Sequence, residues 1–133
     1  MAKLLDVPSF CDERGNLCVI EKLLPFEIRR VFYIYGATKR RAGHRHVSTQ
    51  MFLLCVSGGC MVYSCDGRVE QRFELNSPQR GLLLKPQDWH YMDAFSENCV
   101  LLVLASSFYD PNDYIDEPYS LSGASDLLSP QLS

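Results

Sequence analysis

The apolar positions of this chain fall in short runs separated by turn-forming residues. Leu17-Cys18-Val19-Ile20 follows Arg14-Gly15-Asn16, and Val31 through Tyr35 stops at Gly36. Met51 through Val56 stops at Ser57-Gly58-Gly59, and Cys60 through Ser64 leads into Asp66-Gly67, a tight-hairpin signal. The next run interleaves Val69, Phe73 and Leu75 with charge and closes at Asn76-Ser77-Pro78. Leu82-Leu83-Leu84 precedes Pro86, and Cys99 through Ala105 is the longest apolar run. None keeps a 3.6-residue period, and several are rich in β-branched and aromatic residues. Short strands at roughly ten-residue spacing predict an all-β sandwich or barrel. One helical signal comes late: Asp110 as cap and Pro111 at the first position predict a short C-terminal helix running toward Ile115. Beyond Tyr119 the chain turns Ser-rich. The expected organisation is therefore a single domain over 1–119 and a loosely docked tail over 120–133.

Composition narrows the function classes. A chain of 133 residues with 47% hydrophobic and 22% charged residues fits one globular domain. Thirteen Lys+Arg against sixteen Asp+Glu give a net charge of -3, the wrong sign for a general nucleic-acid binder. The longest apolar run is far short of the roughly 20 residues that span a bilayer, so no membrane partner is expected. The segment MAKLLDVPSF lacks the apolar core of a secretory signal, which makes the cytoplasm the expected location. That location, and the lack of any C-x-x-C pair, predict that the six cysteines are free, structural thiols.

The candidate chemistry sits in the histidines. Two of the three form His44-Arg45-His46, just before the apolar run that starts at Met51. On a strand, residues i and i+2 share a face, roughly 7 Å apart. Both imidazoles then enter one barrel cavity, and Gln50 joins them if the strand continues. The plainer reading is two surface histidines on a loop edge after Gly43. The third, His90, closes Pro86-Gln87-Asp88-Trp89-His90, a turn that feeds a strand. Trp89 and His90 differ in parity, so only one of them faces the cavity; a histidine packed on Trp at a rim is the plainer reading here.

These residues resemble the two motifs of the cupin superfamily, a jelly-roll-like β-barrel. The first motif is matched by Gly43, His44, His46, Gln50 and Gly58, the second by Gly81, Pro86, Asp88 and His90. Gln50 replaces an anionic Glu that a divalent cation favours, and Asp88 replaces a Gly. Three imidazoles alone can hold zinc, so a metal-dependent cupin enzyme stands as one alternative.

A closer resemblance extends over nearly the whole chain up to Tyr119. It is carried by Asp12-Glu13-Arg14-Gly15-Asn16-Leu17, Pro25-Phe26-Glu27-Ile28, Arg30-Val31-Phe32-Tyr33-Ile34, Arg41-x-Gly43-His44-x-His46-x-x-x-Gln50, Cys55-Val56-Ser57-Gly58, Pro86-x-x-Trp89-His90 and Tyr109-Asp110-x-x-Asp113-Tyr114-Ile115. In this order and spacing they resemble the sugar nucleotide 3,4-ketoisomerases. The chain departs from that family's usual pattern at Arg45 and Val47, which keeps a non-catalytic sugar-nucleotide binding module as a second alternative.

The resemblance implies an isomerase that moves the ketone of dTDP-4-keto-6-deoxyglucose from C4 to C3 through an enediol, with no cofactor and no metal. It assigns acid–base catalysis to His44 and His46. It implies substrate contacts at Tyr33, Arg41 and Arg14; the chemistry of the side chains adds His90, Gln50 and Arg45 as further candidates, with His90 and Tyr33 deciding which face of C4 is protonated. Arg40 is a further guanidinium candidate for the pyrophosphate, and Asp93 a candidate to orient a histidine. It also implies a homodimer in which an N-terminal strand of one subunit joins the partner's sheet.

Overall fold

The computed structural model describes residues 1–121. Among the described residues the chain forms twelve strands: β1 (Lys3–Asp6), β2 (Ser9–Asp12), β3 (Gly15–Cys18), β4 (Arg30–Tyr35), β5 (Arg41–His46), β6 (Met51–Ser57), β7 (Cys60–Cys65), β8 (Glu70–Leu75), β9 (Arg80–Leu84), β10 (Trp89–Asp93), β11 (Val100–Ala105) and β12 (Tyr114–Ile115). The all-β expectation holds, and the apolar runs from β4 to β11 coincide with strands. The short C-terminal helix does not hold. Asp110 caps a single 3-10 turn, Pro111–Asp113, by accepting from the Asn112 N–H, and Tyr114–Ile115 then pairs as β12. Once the chain is pinned to β5, extended backbone satisfies more polar groups than a second helical turn. Most of the Ser-rich segment over 120–133 lies outside the described residues.

Two antiparallel five-stranded sheets make the jelly-roll-like barrel. One has the order β1-β9-β6-β11-β4, the other β12-β5-β10-β7-β8, and β2-β3 is a separate hairpin. The main core lies between the sheets, where Leu53, Val62, Leu82, Leu101 and Val103 are fully buried. Both outer faces are partly covered as well. Ile20, Leu23, Leu24 and Phe26 pack on Phe52, Leu54 and Leu83 of the first sheet. Tyr119 and Leu121 pack on Tyr63 and Tyr91 of the second. Five successive buried residues, Met51 through Cys55, follow from that double cover.

The six cysteines are free thiols, with Cys11 and Cys18 exposed and the other four buried. Cys55 lies 3.7 Å, sulfur to sulfur, from both Cys60 and Cys99. The Cys60 thiol and burial push the Cys55 thiol up, and burial pushes that of Cys99 up to about 11. These neutral thiols pack as small apolar groups.

Gly81 lets β9 lie close to β6. A Cβ there would sit 2.7 Å from the Leu53 carbonyl oxygen and collide with the Phe52 ring. Gly81→Ala is therefore expected to lower the unfolding free energy by about 1–3 kcal/mol through overpacking. Urea denaturation checks this; an unchanged midpoint contradicts the close approach.

Candidate active site

The site forms where β5 and β10 pair. His90 lies opposite His44, but Tyr91 lies opposite Ala42, so Gly43 is an extra residue without a partner of its own. This bulge is made by two consecutive left-handed residues, Ala42 at φ 69° and Gly43 at φ 91°. Glycine adopts that conformation without penalty, and a bulge re-aims the neighbouring side chains. His44, His46 and His90 then converge. Their ring centroids are 5.1 Å apart for His44 and His46, 5.2 Å for His44 and His90, and 6.0 Å for His46 and His90.

The turn before β10 is closed by Asp88. Its carboxylate accepts from the Lys85 N–H at 2.8 Å, and its own N–H donates to the Lys85 carbonyl at 3.0 Å. Where a cupin motif has Gly, this chain thus uses a side chain to cap the turn. The Asp88 carbonyl accepts from His90 Nδ1 at 3.1 Å, which fixes the proton on Nδ1 and leaves Nε2 bare. Parity holds as expected: His90 faces inward, while Trp89 stacks edge-on against Tyr63 and Tyr91 on the outer face.

The cavity beside these rings has a volume of about 180 Å³ and is lined by Phe32, Ile34, Arg41, His44, Met51, His90 and Tyr114 among others. Wider hollows lie elsewhere, one near Asp6 and Arg80 and one near Gly58 and Ser96, but neither is lined by an imidazole. His90 Nε2, on the small cavity's wall, is buried without a hydrogen-bond partner, and so are His46 Nε2 and Arg30 Nε, which lie outside the lining. Buried polar atoms normally find partners. An unpaired imidazole nitrogen on a cavity wall is what a site for a polar ligand leaves behind.

Burial governs the protonation states. It holds His90 down to about 3, although its bond to the Asp88 carbonyl opposes this. It holds His46 down to about 4, helped by neighbouring His44 and Arg30 and opposed by Asp113. His44 is also lowered by burial, against the pull of Asp116. Burial pushes Asp113 up, but bonds from Thr49 and Ser48 outweigh it and hold its carboxyl below the ordinary range. At neutral pH the imidazoles are uncharged bases beside an ionised carboxylate.

The structure brings together His44, His46, His90 and Arg41. It does not bring the other expected residues into this cavity. Tyr33 is 64% exposed, because strict alternation on β4 turns Arg30, Phe32 and Ile34 inward and Tyr33 outward. Arg14 sits in the exposed β2–β3 turn, paired with Asp12 at 2.6 Å. Arg45 lies on the far face of β5, its guanidinium 4.7 Å from the Tyr119 ring. Gln50 lies beyond the end of β5, its backbone bonded in both directions to Ser106. Arg40 and Asp93 pair with each other at 3.1 Å on the surface. Among the described residues, the trio of potential metal ligands whose donor atoms lie within 4.8 Å of one another is Cys55, Cys60 and Cys99, not the imidazoles.

Comparison with known proteins decides the lineage. The family model described as FdtA, WxcM-like, C-terminal, matches residues 1–122. The chain belongs to this family. It is 41% identical over 117 residues to a TDP-4-oxo-6-deoxy-alpha-D-glucose-3,4-oxoisomerase of Aneurinibacillus thermoaerophilus, covering 85% of this chain and 84% of that one. A 3,4-ketoisomerase from Helicobacter canadensis superimposes with a TM-score of 0.83 at 38% identity, over 87% of this chain and 90% of the other. The 3,4-ketoisomerase QdtA from Thermoanaerobacterium thermosaccharolyticum, in a mutant complexed with TDP-4-keto-6-deoxyglucose, gives 0.84 at 37% identity, over 87% of each chain.

In this FdtA-family chain, sequence analysis missed Tyr114, Arg30 and Asp113 as site residues. The Tyr114 ring lies 4.7 Å from that of His44 and 4.8 Å from that of His46. Asp113 accepts from Ser48 N and Oγ, each at 2.9 Å, and from Thr49 Oγ1, which ties the 3-10 turn to the end of β5. For Arg30 the signal was available: it shares the inward parity of Phe32 and Ile34.

Stability should report the buried neutral imidazoles. Unfolded imidazoles take up protons near 6.5, whereas folded His46 and His90 resist until about 4 and about 3. The unfolded chain then binds more protons in that window, so their contribution is complete above about 6.5 and is lost as the pH falls through it. Urea midpoints measured from pH 7.5 to 4.5 are expected to fall, with a flatter slope in His46→Asn. Equal slopes in the two proteins contradict a neutral His46.

Proposed function

We propose that this chain is a sugar nucleotide 3,4-ketoisomerase whose substrate is dTDP-4-keto-6-deoxyglucose. The observation that carries the reading is the convergence of three neutral imidazoles, two of them, His44 and His90, lining one cavity and the third, His46, directly behind it. Removal of a hydrogen next to a ketone needs a positioned base of pKa near neutrality, and imidazole supplies it. The relative solved with TDP-4-keto-6-deoxyglucose, at 37% identity, supports the substrate.

His44 is the C3 base, since it lines the cavity while His46 lies behind it. It takes the C3 proton, and the electron pair forms the C3–C4 double bond as the carbonyl pair moves onto O4. Return of a proton to C4 and loss of the O3 proton leave the ketone at C3. His46 takes part in carrying the O3 proton away from the sugar. His90 Nε2, held bare, accepts a hydrogen bond from a sugar hydroxyl. Arg41, at the rim, pairs with the pyrophosphate, a role the planar guanidinium suits.

The working form is a homodimer. Strand β4 ends the first sheet, and its outward residues Val31, Tyr33 and Tyr35 are 56%, 64% and 73% exposed. Every residue of the β2–β3 hairpin is exposed, including Phe10 and Leu17. A bare hairpin is marginal in water, and a bare apolar edge invites pairing. A second copy that lays its hairpin on β4 covers both, and brings Arg14 and Tyr33 to the shared face. Free thiols suit a reducing compartment, which supports a cytoplasmic location.

Incubated with dTDP-4-keto-6-deoxyglucose in deuterated solvent, the protein should exchange the C3 hydrogen and form the 3-keto product, both read by NMR. His44→Asn and His46→Asn should each slow turnover by roughly 10²–10⁴-fold. Nucleotide binding without exchange points instead to a non-catalytic module. In sedimentation, wild-type protein should run as a dimer, and the double variant Phe10→Glu, Val31→Glu as a monomer. A monomeric wild type removes the dimer from the reading.

A further inference from the structure

We propose that Tyr114 and Arg30 form the oxyanion site of this enzyme, with the Tyr114 hydroxyl as the group that hydrogen-bonds O4 and delivers its proton. The inference rests on the ketoisomerase reading and assigns a part of the chemistry that the imidazoles leave uncovered. Three neutral imidazoles can accept the C3 proton. Burial, however, opposes protonation of His46 and His90, so neither is ready to donate to an oxygen that is becoming negative.

The geometry supplies the missing donor. Tyr114 pairs with His46 across β5 and β12, and its ring lies against both His44 and His46. It lines the same cavity as His44, His90 and Arg41. Arg30 Nη1 lies 3.4 Å from the phenolic oxygen. A guanidinium has donors only, so the Tyr114 oxygen is the acceptor in that contact. The phenolic proton is then left for another partner, and among the described residues no acceptor takes it.

Arg30 itself shows the same incompleteness. It is half-buried on the inward row of β4, and its Nε is buried without a partner. Among the described residues no carboxylate is within ion-pair distance of it. Its neighbours are the rings of Phe32 and Tyr109, 5.5 and 5.8 Å from the guanidinium carbon. A partly desolvated cation without a counter-ion is costly unless the site is built for a negative charge that arrives with the reaction.

The step balances. As the C3–H bond breaks, its proton goes to His44, the bonding pair forms the C3–C4 double bond, and the C4–O4 π pair moves to O4. The Tyr114 hydroxyl donates to O4 as charge collects there, and Arg30 stabilises the phenolic oxygen from behind. His44 returns its proton to C4 as the O3 proton departs, which completes the 3-ketone, with the Tyr114 proton finishing on O4. The O3 proton returns to the phenolate through the imidazoles. Tyr114 touches the reacting atoms, and Arg30 is a positioning residue that acts through it.

Tyr114→Phe keeps the ring against both imidazoles and removes the oxygen alone. Loss of one preorganised donor of this kind lowers turnover by roughly 10²–10³-fold. The expected result is such a fall in kcat with KM within about threefold of wild type, and a matching fall in C3 deuterium exchange. Arg30→Met should reproduce it, Arg30→Lys should retain part of the rate, and the double variant Arg30→Met, Tyr114→Phe should lose little beyond the worse single one, because the two act as a unit. Thermal melting of Tyr114→Phe establishes that the fold survives; Arg30→Lys stands in if Arg30→Met does not fold. Near-wild-type kcat or C3 exchange in Tyr114→Phe, or a change confined to KM, overturns the assignment while leaving the ketoisomerase reading in place. A wild-type protein that neither exchanges C3 hydrogen nor forms product overturns both.

Discussion

The bulged pairing of β5 with β10 is the constraint on which the site depends. One additional residue, Gly43, shifts the register between His90 and Tyr91, so that His44 is opposite His90 while the strand still delivers His46 to the same side. A regular ladder would keep side chains in strict alternation and tie each turn of the backbone to its partner. The left-handed backbone at Ala42 and Gly43 departs from that regularity. Strain of this kind persists only where the surroundings over-determine it. Here the surroundings are β10 on one side of β5 and β12 on the other, with Asp113 fastening β12's approach to Ser48 and Thr49.

Burial does the chemical tuning. The imidazoles lie among Phe32, Ile34, Met51, Met92 and Tyr114, and the loss of solvent there holds them neutral. The tautomer of His90 follows from a single backbone carbonyl, that of Asp88, which the turn at Lys85 to Asp88 places there. A substitution at the turn and a protonation state in the cavity are thus two ends of one short chain of contacts.

Much of the fold was legible because strand periodicity is local. The runs at β4 to β11 carry their own turn signals, and the alternation on β8 marks a sheet with one wetter face. The histidine pair was legible for the same reason, since parity on a strand needs no knowledge of distant residues. What escaped was non-local or a matter of parity not applied. Tyr114 enters the site only because β12 pairs with β5, far away in sequence, and two residues of strand give no periodicity to read. Its approach was read as helix because Asp110 and Pro111 satisfy the capping rules equally well for one 3-10 turn. Tyr33 was selected by motif, yet alternation on β4 already implied that Arg30, Phe32 and Ile34 are the inward row. Gln50 depended on β5 continuing, and it stops at His46.

These placements divide the candidate groups by the charge they meet. The imidazoles are neutral and can hold a proton only transiently, so they suit transfer from carbon. The positive groups lie in two positions: Arg41 lines the cavity at its exposed edge, while Arg30 is half-buried on the wall behind Tyr114. A nucleotide sugar also divides its charge in two. The pyrophosphate carries permanent charge that stays hydrated until it docks, which an exposed guanidinium can meet at little desolvation cost. The reacting hexose is neutral at rest and becomes negative only as its C3 hydrogen leaves. A partly buried cation reached through a phenol favours that fleeting charge over the resting ketone, and an interaction stronger in the transition state than in the ground state is what raises turnover.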